Sequence, residues 1–186
     1  GAFGYTAYTD FYNEQDGTVR VFLDDTSTLR LSASGLVQYA STDGSATVSA
    51  YDESDITDAA ALDAQLDCTR LILDAAQRAG DTDTHASLYA VERSEEQTTL
   101  IFLQMYSGVP VLGDADFATF VFNGSALRTA TIRLQKFQPT GGKRTVMPAK
   151  QAAAGASGAE RGLMAAYRSQ DGQYVPSRFY LKNAAE

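Results

Sequence analysis

The side chains best suited to chemistry are few. One histidine, His85, and one cysteine, Cys68, occur in 186 residues, and tryptophan is absent. A Ser-His-Asp or Cys-His relay would need His85 as its base, because a nucleophilic hydroxyl or thiol must pass its proton to a neighbour. His85 follows the polar stretch Asp81, Thr82, Asp83 and Thr84 ahead of a predicted strand, so an exposed loop histidine is expected. Cys68 falls within a predicted helix near Ile72, where a thiol serves as a small core residue. Standing alone, it cannot form an internal disulfide, and zinc sites built on two His or two Cys are excluded within one chain.

Carboxylates are more plentiful, paired as Asp24 with Asp25, Asp81 with Asp83, and Asp114 with Asp116. Glycoside hydrolysis needs two carboxyl groups held at a set separation across a sugar, which such turn-like pairs do not specify. Calcium binding of the EF-hand kind needs a twelve-residue loop closed by Glu, and neither Asp81/Asp83 nor Asp114/Asp116 has one. The bland reading is solvated turn residues. Neither a phosphate-binding G-x-x-x-x-G-K-[ST] loop nor a G-x-G-x-x-G fingerprint is present. Gly141, Gly142, Lys143 and Arg144 follow Pro139 and read as a connection. No cofactor, metal or catalytic residue is expected.

The elements that would position these groups are mostly strands. Val19, Val21 and Leu23 alternate with Thr18, Arg20 and Phe22, and Leu29, Leu31 and Ala33 repeat the pattern. Gly35 permits a tight reversal into Leu36–Tyr39, and a last strand is expected around Ala46–Tyr51. These make a β meander over 1–54. A helix follows, capped by Asp55 or Thr57 and ended by Gly80. Acidic Asp58, Asp63 and Asp67 sit toward its N-terminal half and Arg70 and Arg78 toward its C-terminal half, which suits the helix dipole. Leu62, Leu66, Ile72, Leu73 and Ala76 lie along one side.

Four strands are then predicted, at 85–93, 98–106, 111–122 and 126–136. In the last, Ala130, Ile132 and Leu134 oppose Thr129, Thr131, Arg133 and Gln135, so one face needs a cover, and the preceding helix is the nearest. Beyond the polar connection 138–144, a short or broken helix over 149–161 and a hairpin of 162–168 with 174–182 are expected. The organisation is therefore three blocks, 1–54, 55–137 and 138–186. The fold class expected is α+β, with helix-covered antiparallel sheets in tandem.

Totals limit the function further. No run reaches the roughly 18 apolar residues that cross a bilayer. The first residue is Gly rather than Met, which leads to the expectation that a leader, lipid anchor or membrane helix has been removed and that the domain works outside the cytoplasm. The net charge of −8 divides into −15 for 1–127 and +7 for 128–186. Such polarity steers partners more than it holds a fold, since exposed ion pairs contribute about 0–1 kcal/mol each. General nucleic-acid binding is disfavoured by the overall acidity.

The run FLQMYSGVPVLG at 102–113, with Phe120, Phe122, Asn123, Gly124 and Leu127 downstream, resembles the PepSY-like units of thermolysin-type propeptides. It is also similar to the extracytoplasmic YycI and YycH regulators of a Gram-positive sensor kinase. The closing segments, Leu163–Tyr167 and Val175–Leu181 with Pro176, are similar to the final hairpin of the YycI type, although Phe179 stands where a Trp is often found. The resemblance implies tandem helix-plus-sheet units and a non-enzymatic, membrane-tethered domain. Its implied partner is a protein, foremost the ectodomain of a sensor histidine kinase. A propeptide-like inhibitor or chaperone acting in trans is the alternative; no H-E-x-x-H is present, so any protease would be a separate chain. An enzyme of another type ranks lowest. The motif residues Gln104, Tyr106, Gly108, Pro110, Gly124 and Pro176 have structural roles on this reading. Gly108 permits the turn, Pro110 fixes φ as the next strand starts, and Tyr106 buries its ring while its hydroxyl stays wet.

Overall fold

Alternation of apolar and polar residues is the strongest regularity in the sequence, and it is realised as strands. The computed structural model describes residues 2–6, 8–14, 17–41, 48–52, 57–80, 84–142, 145–154 and 160–182. Four strands come first: β1 (Phe11–Glu14), β2 (Val19–Leu23), β3 (Ser27–Ser32) and β4 (Leu36–Ser41). The helix α1 (Asp58–Gly80) leads to β5 (Thr84–Arg93), β6 (Gln97–Tyr106), β7 (Val109–Leu112), β8 (Ala118–Asn123) and β9 (Ala126–Arg133). A short α2 (Ala149–Ala153) precedes the hairpin of β10 (Glu160–Gln170) and β11 (Gln173–Lys182).

The eleven strands of the described residues join one sheet, in the order β1-β2-β3-β4-β9-β8-β6-β7-β10-β11, with β5 on β6 as well. The long strand β6 is the pivot. Its residues 98–106 pair with β5 along one edge, while 97–102 pair with β8 and 104–106 with β7 along the other. Pairing is antiparallel except between β7 and β10, which run parallel through Val111–Tyr167 and Leu112–Arg168.

Cross-strand register lines up the core. Leu29, Tyr39, Ala130, Phe120 and Leu100 face one another in sequence from β3 across to β6. The adjacent row runs Leu31, Val37, Ile132, Ala118 and Phe102. Ile72 and Leu73 of α1 complete this cluster, as do Phe3 and Tyr5 from the N-terminal segment, Phe3 stacking on Tyr39 at 5.2 Å. Each large apolar side chain so buried contributes roughly 1.5–3 kcal/mol. The ion pairs seen among the described residues, Glu14–Arg30 and Asp67–Arg70, are surface contacts of far smaller weight. Packing, not charge, holds this sheet.

The tandem α+β architecture expected from the sequence is overturned. The chain is mostly β, a single mixed sheet, and its C-terminal block is no second helix-covered unit. The short or broken helix expected over 149–161 is the five-residue α2, and Glu160 already begins β10; residues 155–159 lie outside the described set. The hairpin β10–β11 extends the common sheet through β7. The single strand expected at 111–122 is two strands, because Gly113, Asp114, Ala115 and Asp116 interrupt it and pass the chain from β7 to β8. Of the strand expected at 46–51, residues 46 and 47 lie outside the described set, and Ser49 makes one isolated bridge to Ala126. β4 pairs with β9 and β7 with β10, so one hydrogen-bonded ladder runs through 1–54, 55–137 and 138–186.

Candidate functional site

Two surfaces stand out, an aromatic cleft and an open strand edge. The cleft begins at a buried amide. Gln104 on β6 is 2% exposed, and its Nε2 donates to Thr84 Oγ1 at 2.9 Å and to the Gln135 carbonyl at 3.0 Å. A buried amide is stabilising only when its groups are paired. Here the pairing ties β6 to β5 and to the chain leaving β9. Gln135 in turn accepts a hydrogen bond on Oε1 from the Tyr174 hydroxyl of β11, 2.9 Å away. Three sheet regions are thereby fixed around one residue.

Four half-buried rings line the space beside this network. Tyr167, Tyr106, Phe137 and Tyr174 pack in series, with centroids 6.0, 5.7 and 5.1 Å apart and interplanar angles of 67°, 63° and 86°. Edge-to-face packing places the positive rim of one ring on the negative face of the next. The register explains why β10 and β11 contribute together. Tyr167 pairs with Pro176 and Ser169 with Tyr174, so these side chains share one face of the hairpin. The resulting cleft measures about 730 Å³ and is edged by Ser34, Gln138, Thr140 and Gln173. Lys136 is the one charged side chain among its described lining residues.

The sequence-predicted motif residues are only partly gathered here. Tyr106 and Pro176 line the cleft, and Gln104 fixes its floor. Gly108 sits at the exposed tip of the β6–β7 hairpin with φ +76°, after Ser107 at +50°, the two left-handed residues of a type I′ turn. Pro110 follows in β7, opposite Met105. Gly124 lies at the β8–β9 turn, where its carbonyl accepts from Gln65 of α1 at 2.8 Å, in contact with the helix rather than the cleft. Phe137, Tyr167 and Tyr174 were not singled out in the sequence. The placing of Tyr167 and Tyr174 within the predicted hairpin of 162–168 with 174–182 was the available signal for two of them.

The groups considered for catalysis are scattered. His85 is exposed, but within β5 rather than in a loop, opposite Met105. Cys68 is half-buried beside the core, and burial raises its thiol above the ordinary value, which disfavours a thiolate. Asp114 and Asp116 are exposed between β7 and β8; Asp81 and Asp83 lie outside the described residues, as do Lys143 and Arg144. Asp24 organises its own turn. Among the described residues, no three His, Cys, Asp or Glu side chains cluster for a metal.

The second surface is the edge formed by β5. This ten-residue strand pairs with β6 alone among the described residues, leaving its other side without a neighbouring strand. Leu88, Tyr89 and Val91 are 42%, 54% and 37% exposed along it. Tyr89 is the extra residue of a bulge, since Leu88 faces Phe102 and Ala90 faces Ile101. On α1, which packs against β5, Leu71 is also exposed. Long, apolar, unpaired edges are templates for another chain.

Compared with family models, curated proteins and solved structures, the chain matches none.

Proposed function

We propose that this chain is a non-enzymatic, extracytoplasmic regulatory domain that binds a protein partner by strand addition at β5. The partner proposed is the ectodomain of a sensor histidine kinase. The observation that carries the binding mode is the outer β5 edge, which no strand pairs among the described residues, with Leu88, Tyr89 and Val91 exposed along β5. An added strand would satisfy the outward backbone groups, while the exposed aliphatic and aromatic side chains supply apolar contact. The choice of kinase rests on the likeness of 98–135 and 162–181 to the YycI type. The bulge at Tyr89 divides the edge, which favours a defined register over indiscriminate pairing.

The test places a photo-crosslinking residue at Tyr89 of the full-length protein in its own cell, with Thr129 as a control on the sheet face. The expected product is an adduct with the kinase ectodomain from Tyr89 alone. With the purified partner, Tyr89→Lys combined with Val91→Lys should weaken binding about tenfold or more, given the burial each side chain would lose. Adducts confined to Thr129, or a metalloprotease recovered in place of a kinase, would refute the proposal.

A further inference from the structure

We infer that the aromatic cleft between β6, β11 and residues 134–142 is a second binding site, and that it takes an uncharged saccharide chain. The inference stands independently of the β5 edge, from which it draws no residue.

Charge narrows the ligand first. No carboxylate belongs to the described lining, and Lys136 is the single cation there. Among these described residues a ligand of high charge in either sense finds no matching set of counter-charges, whereas a neutral one needs none. Apolar surface narrows it next. Tyr106, Phe137, Tyr167 and Tyr174 are each half-buried, so the rings brace one another and still present area to the cleft. The ligand should therefore carry flat hydrocarbon faces.

Hydrogen-bonding capacity makes the final distinction. Gln138 and Gln173 each offer an amide that both donates and accepts, and Ser34 and Thr140 add hydroxyls that do the same. A proline-rich segment, the other common guest of aromatic grooves, presents carbonyl acceptors but almost no donors. Against it, the amide oxygens of the glutamines would receive no hydrogen bond from the ligand. Sugar hydroxyls donate and accept together, and a pyranose ring has C–H faces that lie on aromatic rings. A saccharide thus matches both halves of the lining. The site is also prepared in advance. Gln104 holds the Gln135 backbone, and Gln135 holds the Tyr174 hydroxyl, so two of the walls are locked before any ligand arrives.

The test uses saturation-transfer NMR on the whole chain with three uncharged hexasaccharides: maltohexaose, cellohexaose and the hexamer of N-acetylglucosamine. Decaproline serves as the competing ligand. At least one sugar should bind, with Kd on the order of 1 mM or tighter. Gln138→Ala, an exposed change that leaves the packing intact, should weaken it about fivefold, and Tyr167→Ala about tenfold. The paired β5 substitutions should leave sugar binding unchanged, and Gln138→Ala should leave partner binding at β5 unchanged. Failure of all three sugars to bind would overturn the inference. So would binding indifferent to Gln138→Ala and Tyr167→Ala, or decaproline binding in their place.

Discussion

The carboxylate of Asp24 accepts from the N–H groups of Thr26 and Ser27 at 2.8 and 2.6 Å, and from both of their hydroxyls. Because a carboxylate has no proton to give, the Ser27 hydroxyl donates to it and accepts from the Tyr5 phenol at 2.7 Å. One exposed Asp thus pins the β2–β3 turn and, through buried Ser27, the segment that brings Phe3 and Tyr5 onto the core. Burial works against the charge, but these donors outweigh it and hold the Asp24 carboxyl below its ordinary value. The folded state therefore binds that proton less readily than the unfolded state, whose value is about 3.9. The stabilisation is present above that pH and is lost as the pH falls through the lower, folded-state value. In urea titrations, wild type should exceed Asp24→Asn in stability at neutral pH, and the gap should close progressively as the pH falls below about 4. A gap that stays constant over that range would mean the charge has no role in the turn. By contrast, Cys68 and His85, the residues that drew attention by rarity, have no such network among the described residues; rarity in a sequence does not measure work in a fold.

At the scale of elements, two glycines with left-handed backbone separate conformation from space. Gly35 has φ +86° and Gly108 has φ +76°, so an added side chain is strained at either. At Gly108 nothing lies within 4 Å of where a Cβ would stand, whereas at Gly35 that atom would fall 2.4 Å from the Leu134 carbonyl oxygen. Gly35 is where the β3–β4 turn meets the end of β9, its own carbonyl accepting from the Leu134 N–H at 2.9 Å. Gly108→Ala should cost about 1 kcal/mol, the conformational part alone. Gly35→Ala should cost about 2–4 kcal/mol, because backbone must also shift. Equal losses in chemical denaturation would contradict the close approach at Gly35. Both turns were legible in the sequence, as were α1 and most strands, because turn chemistry and periodicity are local. What joins the strands was not. β4 meets β9 across α1 and four intervening strands, and β7 meets β10 in parallel, pairings that no local pattern encodes. The aromatic cleft was hidden for the same reason: Tyr106, Phe137 and Tyr174 come together only once β11 has docked.

Across the whole molecule, burial is uneven in a way that predicts where the fold opens. Leu100, Phe120, Phe122, Leu127 and Ile132 are fully buried, and all belong to β6, β8 and β9 under α1. The hairpin β10–β11 is attached differently. Among the described residues it meets the rest of the molecule through two register positions on β7, the Tyr106–Tyr167 and Phe137–Tyr174 ring contacts, the Tyr174–Gln135 hydrogen bond, contact with α2, and the Arg178 Nε bond to the Met147 carbonyl at 2.5 Å. Basic residues of the C-terminal third that the structure describes, such as Arg133 and Arg178, donate to backbone carbonyls of Asp116 and Met147. The observed ion pairs Glu14–Arg30 and Asp67–Arg70 both lie within 1–127, so neither fastens the basic end to the acidic remainder. Among the hairpin side chains whose burial is described, Ala166 alone is fully buried, so a sub-global opening of the hairpin is the cheaper event. Native-state hydrogen exchange should then show the slowest amides in β6, β8 and β9, with those of β10 and β11 at least about tenfold faster. Uniform protection would mean the hairpin unfolds only with the core. Because Tyr167 and Tyr174 form a wall of the cleft, a ligand held there binds only the docked hairpin. Its presence should slow exchange in β10 and β11 selectively while β8 stays unchanged, by the same mass action that stabilises any bound state.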